Sequence, residues 1–166
     1  SSAHISSEPP AQLYLVWRNW EKYDRGDAML DFNRLEQYRE NNCIEAKKAL
    51  GGLPKSIWET YSAFANTLGG VILLGVIETA DKTFDSVNLP NPDSLIREFW
   101  RIINNPLKVS VNILAGKDVY VEEVDGDRII VIKVPRADRA DKPVYVDNDI
   151  RNTYRSSGEG DYRCTY

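Results

Sequence analysis

Residues 56–78 read "SIWETYSAFANTLGGVILLGVIE", a helical pattern that runs through two glycines into an apolar stretch. Ile57, Tyr61, Phe64 and Ala65 recur at i, i+4, i+7 and i+8, the spacing of a buried helix face. Gly51-Gly52 is a turn before it, and Pro54 suits a first helical turn. Gly69-Gly70 ends the helix. "VILLGVIE" is apolar on both faces, as a strand covered on both sides must be. A helix feeding tightly into such a strand predicts an α/β layer. The longest apolar run, 71–77, contains Gly75 and falls well short of the ~18 residues of a membrane span. No membrane partner is expected.

The flanking sequence fills in the rest of a fold. Leu13, Val16, Trp17 and Trp20 predict a helix over 10–24, started by Pro9 and Pro10 and ended by Gly26. A second helix is expected from near Asp27, with Met29, Leu30, Phe32 and Leu35 on one side. "CIEAK" reads as a short extended piece. "NLPNPDSLIREFWRIINN" reads as a loop and a helix capped by Asp93 or Ser94, with Leu95, Phe99, Ile102 and Ile103 inside. "VSVNIL", "DVYVEEV" and "RIIVIKV" predict three strands, with turns at Gly116-Lys117 and Asp125-Gly126-Asp127. "KPVYV" and "NTYRSS" predict two more. The fold class is α+β: one domain with a mixed, mostly antiparallel sheet and flanking helices. Residues 1–9 are expected to be a disordered leader, in part a cloning remnant. Residues 10–166 are expected to form the domain, cut from a longer protein.

With 166 residues, 42% of them hydrophobic and 28% charged, the chain has enough material for one core. Cys43 and Cys164 form neither a disulfide framework nor a zinc pattern, so a reducing cytoplasm is the expected location. The only histidine, His4, lies in the leader, which removes histidine triads and most histidine metal sites. Net charge is −4, against nucleic acid as a partner in bulk. The charge is uneven, however. Residues 78–127 hold ten acids and five bases, whereas 128–163 hold eight bases and six acids. A locally basic face on an acidic domain can still hold a phosphate backbone.

Three groups of residues carry chemistry. "GGLPKS" is not a phosphate loop, because the position before the lysine is Pro54, which has no N–H to offer. "TLGGVILLG" runs from helix to strand, the reverse of a dinucleotide fingerprint. Glu40 and Glu45 are five apart, a spacing that regular structure does not bring to one face. A bend at Asn41-Asn42 could aim both at one point, with Glu78 from the end of "VILLGVIE" as a third acid. Such an oxygen set would suit magnesium or manganese, with Lys47 binding a nearby phosphate. The alternative is local pairing of Glu40 and Glu45 and a solvated Glu78. The third group, "VPRADRADKPVYVDNDIRNTYRSSGEGDYR", interleaves bases with Tyr145, Tyr154 and Tyr162. It reads equally as a phosphate-binding face or as a hairpin with cross-strand Arg–Asp pairs.

Taken in order, "ENNCIEAKKALGGLPKSIWETYSAFANTLGGVILLGV", "VPRADRADKPVYV" and "TYRSSGEGDYRCT" resemble the Schlafen AlbA-like domain, also called divergent AAA, of bacterial transcriptional regulators. The resemblance covers roughly residues 30–165 and rests on Glu40, Glu45, Lys47, "AFAN", Gly69-Gly70 and Gly75-Val76 followed by Glu78. In Schlafen-type ribonucleases the corresponding acids form a metal-dependent cleavage site, which implies Glu40, Glu45 and Glu78 here. This chain departs from that pattern with Asn41, Ala46 and a glutamate as third acid. Bacterial members of the family it resembles are mostly regarded as nucleic-acid-binding modules instead. The resemblance implies, first, a domain that binds DNA or RNA, and the basic C-terminal stretch supplies the expected phosphate contacts, Arg136, Arg139, Lys142, Arg151 and Arg155, with Lys47 as a further one. It implies, second, a nuclease using magnesium or manganese at the three acids. The third reading is a structural or homo-oligomerising module. The residues by themselves fix no cofactor.

Overall fold

The computed structural model describes residues 44–163, apart from 79, 81–83, 125, 158 and 159. The expected leader, the helices over 10–24 and from Asp27, Glu40 and both cysteines lie outside the described residues.

The sheet begins with β1 (Ile44–Lys47), which pairs in parallel with β2 (Gly70–Leu74), Ile44 opposite Val71 and Lys47 opposite Leu74. Parallel neighbours need a crossover, and α1 (Ile57–Asn66) supplies it. β2 passes into a separate ribbon formed by β3 (Val76–Glu78) and β4 (Phe84–Ser86). Then come α2 (Pro92–Ile103), β5 (Val119–Val124) and β6 (Asp127–Val134). β6 lies antiparallel to both β2 and β5, so the main sheet runs β1-β2-β6-β5. β7 (Tyr154–Ser157) and β8 (Gly160–Arg163) form a last antiparallel pair. One parallel and two antiparallel pairings under two helices make the expected α+β domain.

The strands' alternation divides the core into two layers. Ile72, Leu74, Ile130 and Ile132 face α1 and α2, where they meet Ile57, Tyr61, Phe64, Phe99 and Ile103. Val71, Leu73, Ile129 and Val131 face the other way, with Val76, Phe84 and Val124. All of these are buried, each aliphatic contributing on the order of 1.5–3 kcal/mol. Trp58 of α1 stacks on Phe99 of α2 with ring centroids 5.0 Å apart, which joins the two helices. The cap of α2 is Asn91 rather than Asp93 or Ser94: its Oδ1 accepts the Ser94 N–H at 3.3 Å. Pro92 takes the first helical position, where no N–H is needed, and so sets the helix start earlier.

Three expected strands differ in the structure. "VILLGVIE" is not one strand: Gly75, at φ +87°, turns the chain out of the main sheet. A Cβ there would come within 2.8 Å of Leu89 Cγ, so the close approach requires glycine. Residues 109–114 form no strand. Val109 makes one bridge to Val146 and the Ser110 N–H donates to the Tyr145 carbonyl at 2.9 Å, after which the Tyr61 hydroxyl donates to the Val111 carbonyl at 2.8 Å and accepts from the Ile113 N–H at 3.1 Å. "KPVYV" is likewise reduced to single bridges at Tyr145 and Val146. The β5–β6 hairpin and the β7 strand lie where the sequence predicts them.

Candidate nucleic-acid interface

The basic face is built on the C-terminal half of α1. Ser62 and Asn66 lie one turn apart on this helix and are buried. Asn66 grips the backbone of Val144 from both sides: its Oδ1 accepts the Val144 N–H at 2.8 Å, and its Nδ2 donates to the Val144 carbonyl at 2.9 Å. The same Nδ2 lies 3.0 Å from the Tyr154 carbonyl. Ser62 Oγ donates to the Val144 carbonyl at 2.7 Å and accepts the Tyr154 N–H at 3.0 Å. A third segment docks beside them, where the Ala137 N–H donates to the Ala65 carbonyl at 2.8 Å. Beneath it, a Cβ on Gly69 would meet the Val134 carbonyl oxygen at 2.8 Å and the Arg136 nitrogen at 3.1 Å. The turn after α1 thus admits the 135–137 segment because it carries no side chain.

These anchors hold on one helix the segments that carry Arg136, Arg139, Lys142 and Arg155. The three arginines are exposed and Lys142 is half-buried. The Lys142 ammonium is held below its usual pKa, first by partial withdrawal from water and then by the charges of Arg136, Arg155 and Arg139. Asp138 and Asp141 lie on the same segment, and the Asp141 charge acts on Tyr61. Arg151 is bonded differently. Its guanidinium forms a two-pronged pair with Asp149, Nε to Oδ1 at 3.1 Å and Nη2 to Oδ2 at 2.9 Å, which raises its pKa.

The candidate acids occupy other places. Glu45 and Lys47 share the α1-facing side of edge strand β1, opposite Ile72 and Leu74. Lys47 Nζ lies 3.7 Å from Glu45 Oε2 and donates to Ser56 Oγ at 3.0 Å, and only 11% of its side chain is exposed. Lys47 is thus committed to an ion pair and to the residue preceding α1. Glu78 ends β3 and is exposed. Glu40 lies outside the described residues. Among the described residues, no three His, Cys, Asp or Glu side chains gather closely enough to hold a metal ion.

Sequence reasoning missed Ser62 and Asn66 as organisers of this face. The available signal was two polar residues at i, i+4 on an otherwise buried helix face, since buried polar groups require partners. It also missed the pairing of Arg151 with an acid two residues away.

A family model described as Schlafen, AlbA_2 matches residues 40–163. The solved N-terminal domain of an ATP-dependent DNA helicase RecG-related protein from Nitrosomonas europaea is 31% identical, with 81% of this chain and 90% of that chain covered and a TM-score of 0.57. The DIP2311 protein from Corynebacterium diphtheriae is 18% identical over 74% of this chain and 22% of that chain, with a TM-score of 0.49. No curated protein matches. No helix among the described residues is long and apolar enough to cross a membrane.

Proposed function

The chain belongs to the Schlafen AlbA_2 family, and on that premise we propose that it is a nucleic-acid-binding domain of a bacterial, cytoplasmic transcriptional regulator. Arg136, Arg139, Lys142 and Arg155 contact phosphates of DNA or RNA. The observation that carries this reading is that the segments bearing these four cations are bonded to one helix, at Ala65, Ser62 and Asn66, with the charges of Arg136, Arg155 and Arg139 acting on the Lys142 ammonium. Like charges held together in the free protein repel one another, and a polyanion relieves that repulsion. The similarity to the N-terminal domain of a helicase RecG-related protein supports the same reading.

The test is binding to labelled duplex DNA and structured RNA across a salt series. Four phosphate contacts give a slope of log K against log salt of about −3.6 on duplex DNA. A flat salt response, or unchanged binding after alanine replaces all four cations, would sink the proposal. Parallel denaturing gels with manganese address the competing nuclease reading. Metal-dependent cleavage that disappears in Glu45→Gln would replace binding with catalysis by Glu40, Glu45 and Glu78.

A further inference from the structure

We infer that Ser62 and Asn66 are positioning residues of this interface, which set the spacing of its phosphate-binding cations; the inference rests on the nucleic-acid reading above. Both side chains are buried, so both must find hydrogen-bond partners. A helical serine or threonine can satisfy itself locally on the carbonyl four residues back. Thr60 and Thr67 of this region do so, through Ser56 and Ala63. Ser62 and Asn66 instead reach Val144 and Tyr154, 78 to 92 residues away in sequence. Their targets flank the cations: Val144 is two residues after Lys142, and Tyr154 immediately precedes Arg155.

Apolar packing would hold these segments down but leave them free to slide. Directional bonds to backbone N–H and C=O groups fix where each segment leaves the helix. That restraint acts against a specific force, because the charges of Arg136, Arg155 and Arg139 disfavour the charged Lys142 ammonium carried on the same anchored segments. Two neutral side chains beneath the surface therefore determine how many phosphates the surface engages at once.

The test keeps every charge and removes the clamp. Wild type, Asn66→Leu, Ser62→Ala, Lys142→Ala/Arg155→Ala and Ile103→Val are compared on duplex DNA over a salt series, well below each melting point. Ile103, in the same core but outside the clamp, controls for general destabilisation. Amide exchange at Val144 and Tyr154 is followed in the same proteins. The expected result for Asn66→Leu is a slope shallower by about 1.8, the loss of two phosphate contacts, matching the double charge variant. Exchange at the two amides rises about tenfold, and Ile103→Val changes neither quantity. If Asn66→Leu does not fold, Ser62→Ala carries the comparison, because it removes the acceptor of the Tyr154 N–H. Faster exchange with an unchanged slope, while the double charge variant weakens binding, overturns the positioning role and leaves the interface standing. Unchanged binding in the double charge variant overturns the interface, and the inference falls with it.

Discussion

Asn66 holds Val144 as a strand neighbour would, taking its N–H at 2.8 Å and giving a hydrogen bond to its carbonyl at 2.9 Å. One primary amide thereby does the work of a backbone pair where no strand is present. Asn66→Asp keeps the shape and the acceptor but exchanges the donor for an oxygen facing the Val144 and Tyr154 carbonyls. A buried carboxylate beside two carbonyls is costly, so the variant loses about 3 kcal/mol or more at neutral pH. Burial raises the folded-state pKa of such an acid above its unfolded value. Its protonated form is therefore tolerated better, and the variant recovers stability as pH falls toward 4 relative to wild type. Urea unfolding of both proteins at pH 5 and pH 8 reads the difference. An equal loss at the two pH values would count against a buried carboxylate.

Gly69 shows how a backbone approach can exclude a single methyl group. It adopts φ +81°, and a Cβ would stand 2.8 Å from the Val134 carbonyl oxygen. The obstacle is backbone, with no flexible side chain to swing away. Gly69→Ala adds a left-handed penalty of roughly 1–2 kcal/mol to overpacking of roughly 1–3 kcal/mol. The urea midpoint should fall accordingly with little change in m, and because Arg136 follows the displaced segment, nucleic-acid affinity should fall too. A variant as stable as wild type would show that the turn yields freely.

What could be read in advance follows from where the physical signal is local. The α1-to-β2 unit was legible because Ile57, Tyr61, Phe64 and Ala65 carry a helical period and residues 71–74 carry burial on both faces. The β5–β6 hairpin was legible from its turn and its alternation. The break at Gly75 was not, because the apolar run continues through it and the reason for the break, Leu89, is fourteen residues on. "VSVNIL" alternates because Val111 and Ile113 pack against the core, yet its backbone is bonded to Tyr61 instead of a neighbouring strand. At the interface, the bases themselves were visible in composition. Their grouping was not, since it depends on Ser62 and Asn66 bonding to partners some eighty residues distant.

Tyr61 provides a titration that can be followed directly. Its phenol is fully buried between the Val111 carbonyl and the Ile113 N–H, and its pKa is pushed up to about 12 from 10.0. Burial is the main cause; the Ile113 N–H pulls the other way, and the Asp141 charge adds to the rise. A group whose folded pKa exceeds its unfolded value stabilises the protein fully below the unfolded pKa. That contribution, about 2–3 kcal/mol, is lost as pH climbs from 10 to 12. Tyr61→Phe begins less stable by about 1–3 kcal/mol, since it leaves two backbone groups without their partner. Between pH 10 and 12 it should then lose less stability than wild type. Parallel alkaline slopes for the two proteins would place the titration elsewhere.

Arg151 and Arg155 are four residues apart but differ in what their charges can do. Arg155 is one of the guanidinium groups that depress the Lys142 pKa. Arg151 is held by both oxygens of Asp149, so the pair presents little net charge to a phosphate. Counterion release depends on phosphates neutralised, and a cation already paired with a carboxylate neutralises none until the pair opens. Arg155→Ala should therefore flatten the salt slope on duplex DNA by about 0.9, while Arg151→Ala leaves it near the wild-type value. Asp149→Asn separates the two explanations for a silent Arg151. It keeps an acceptor for the Arg151 N–H but removes the charge, which frees the guanidinium. If Arg151 is silent because of Asp149, this variant binds more tightly and its slope steepens by up to about 0.9. If Arg151 simply faces away from the nucleic acid, Asp149→Asn leaves the slope unchanged, and the interface ends at Arg155.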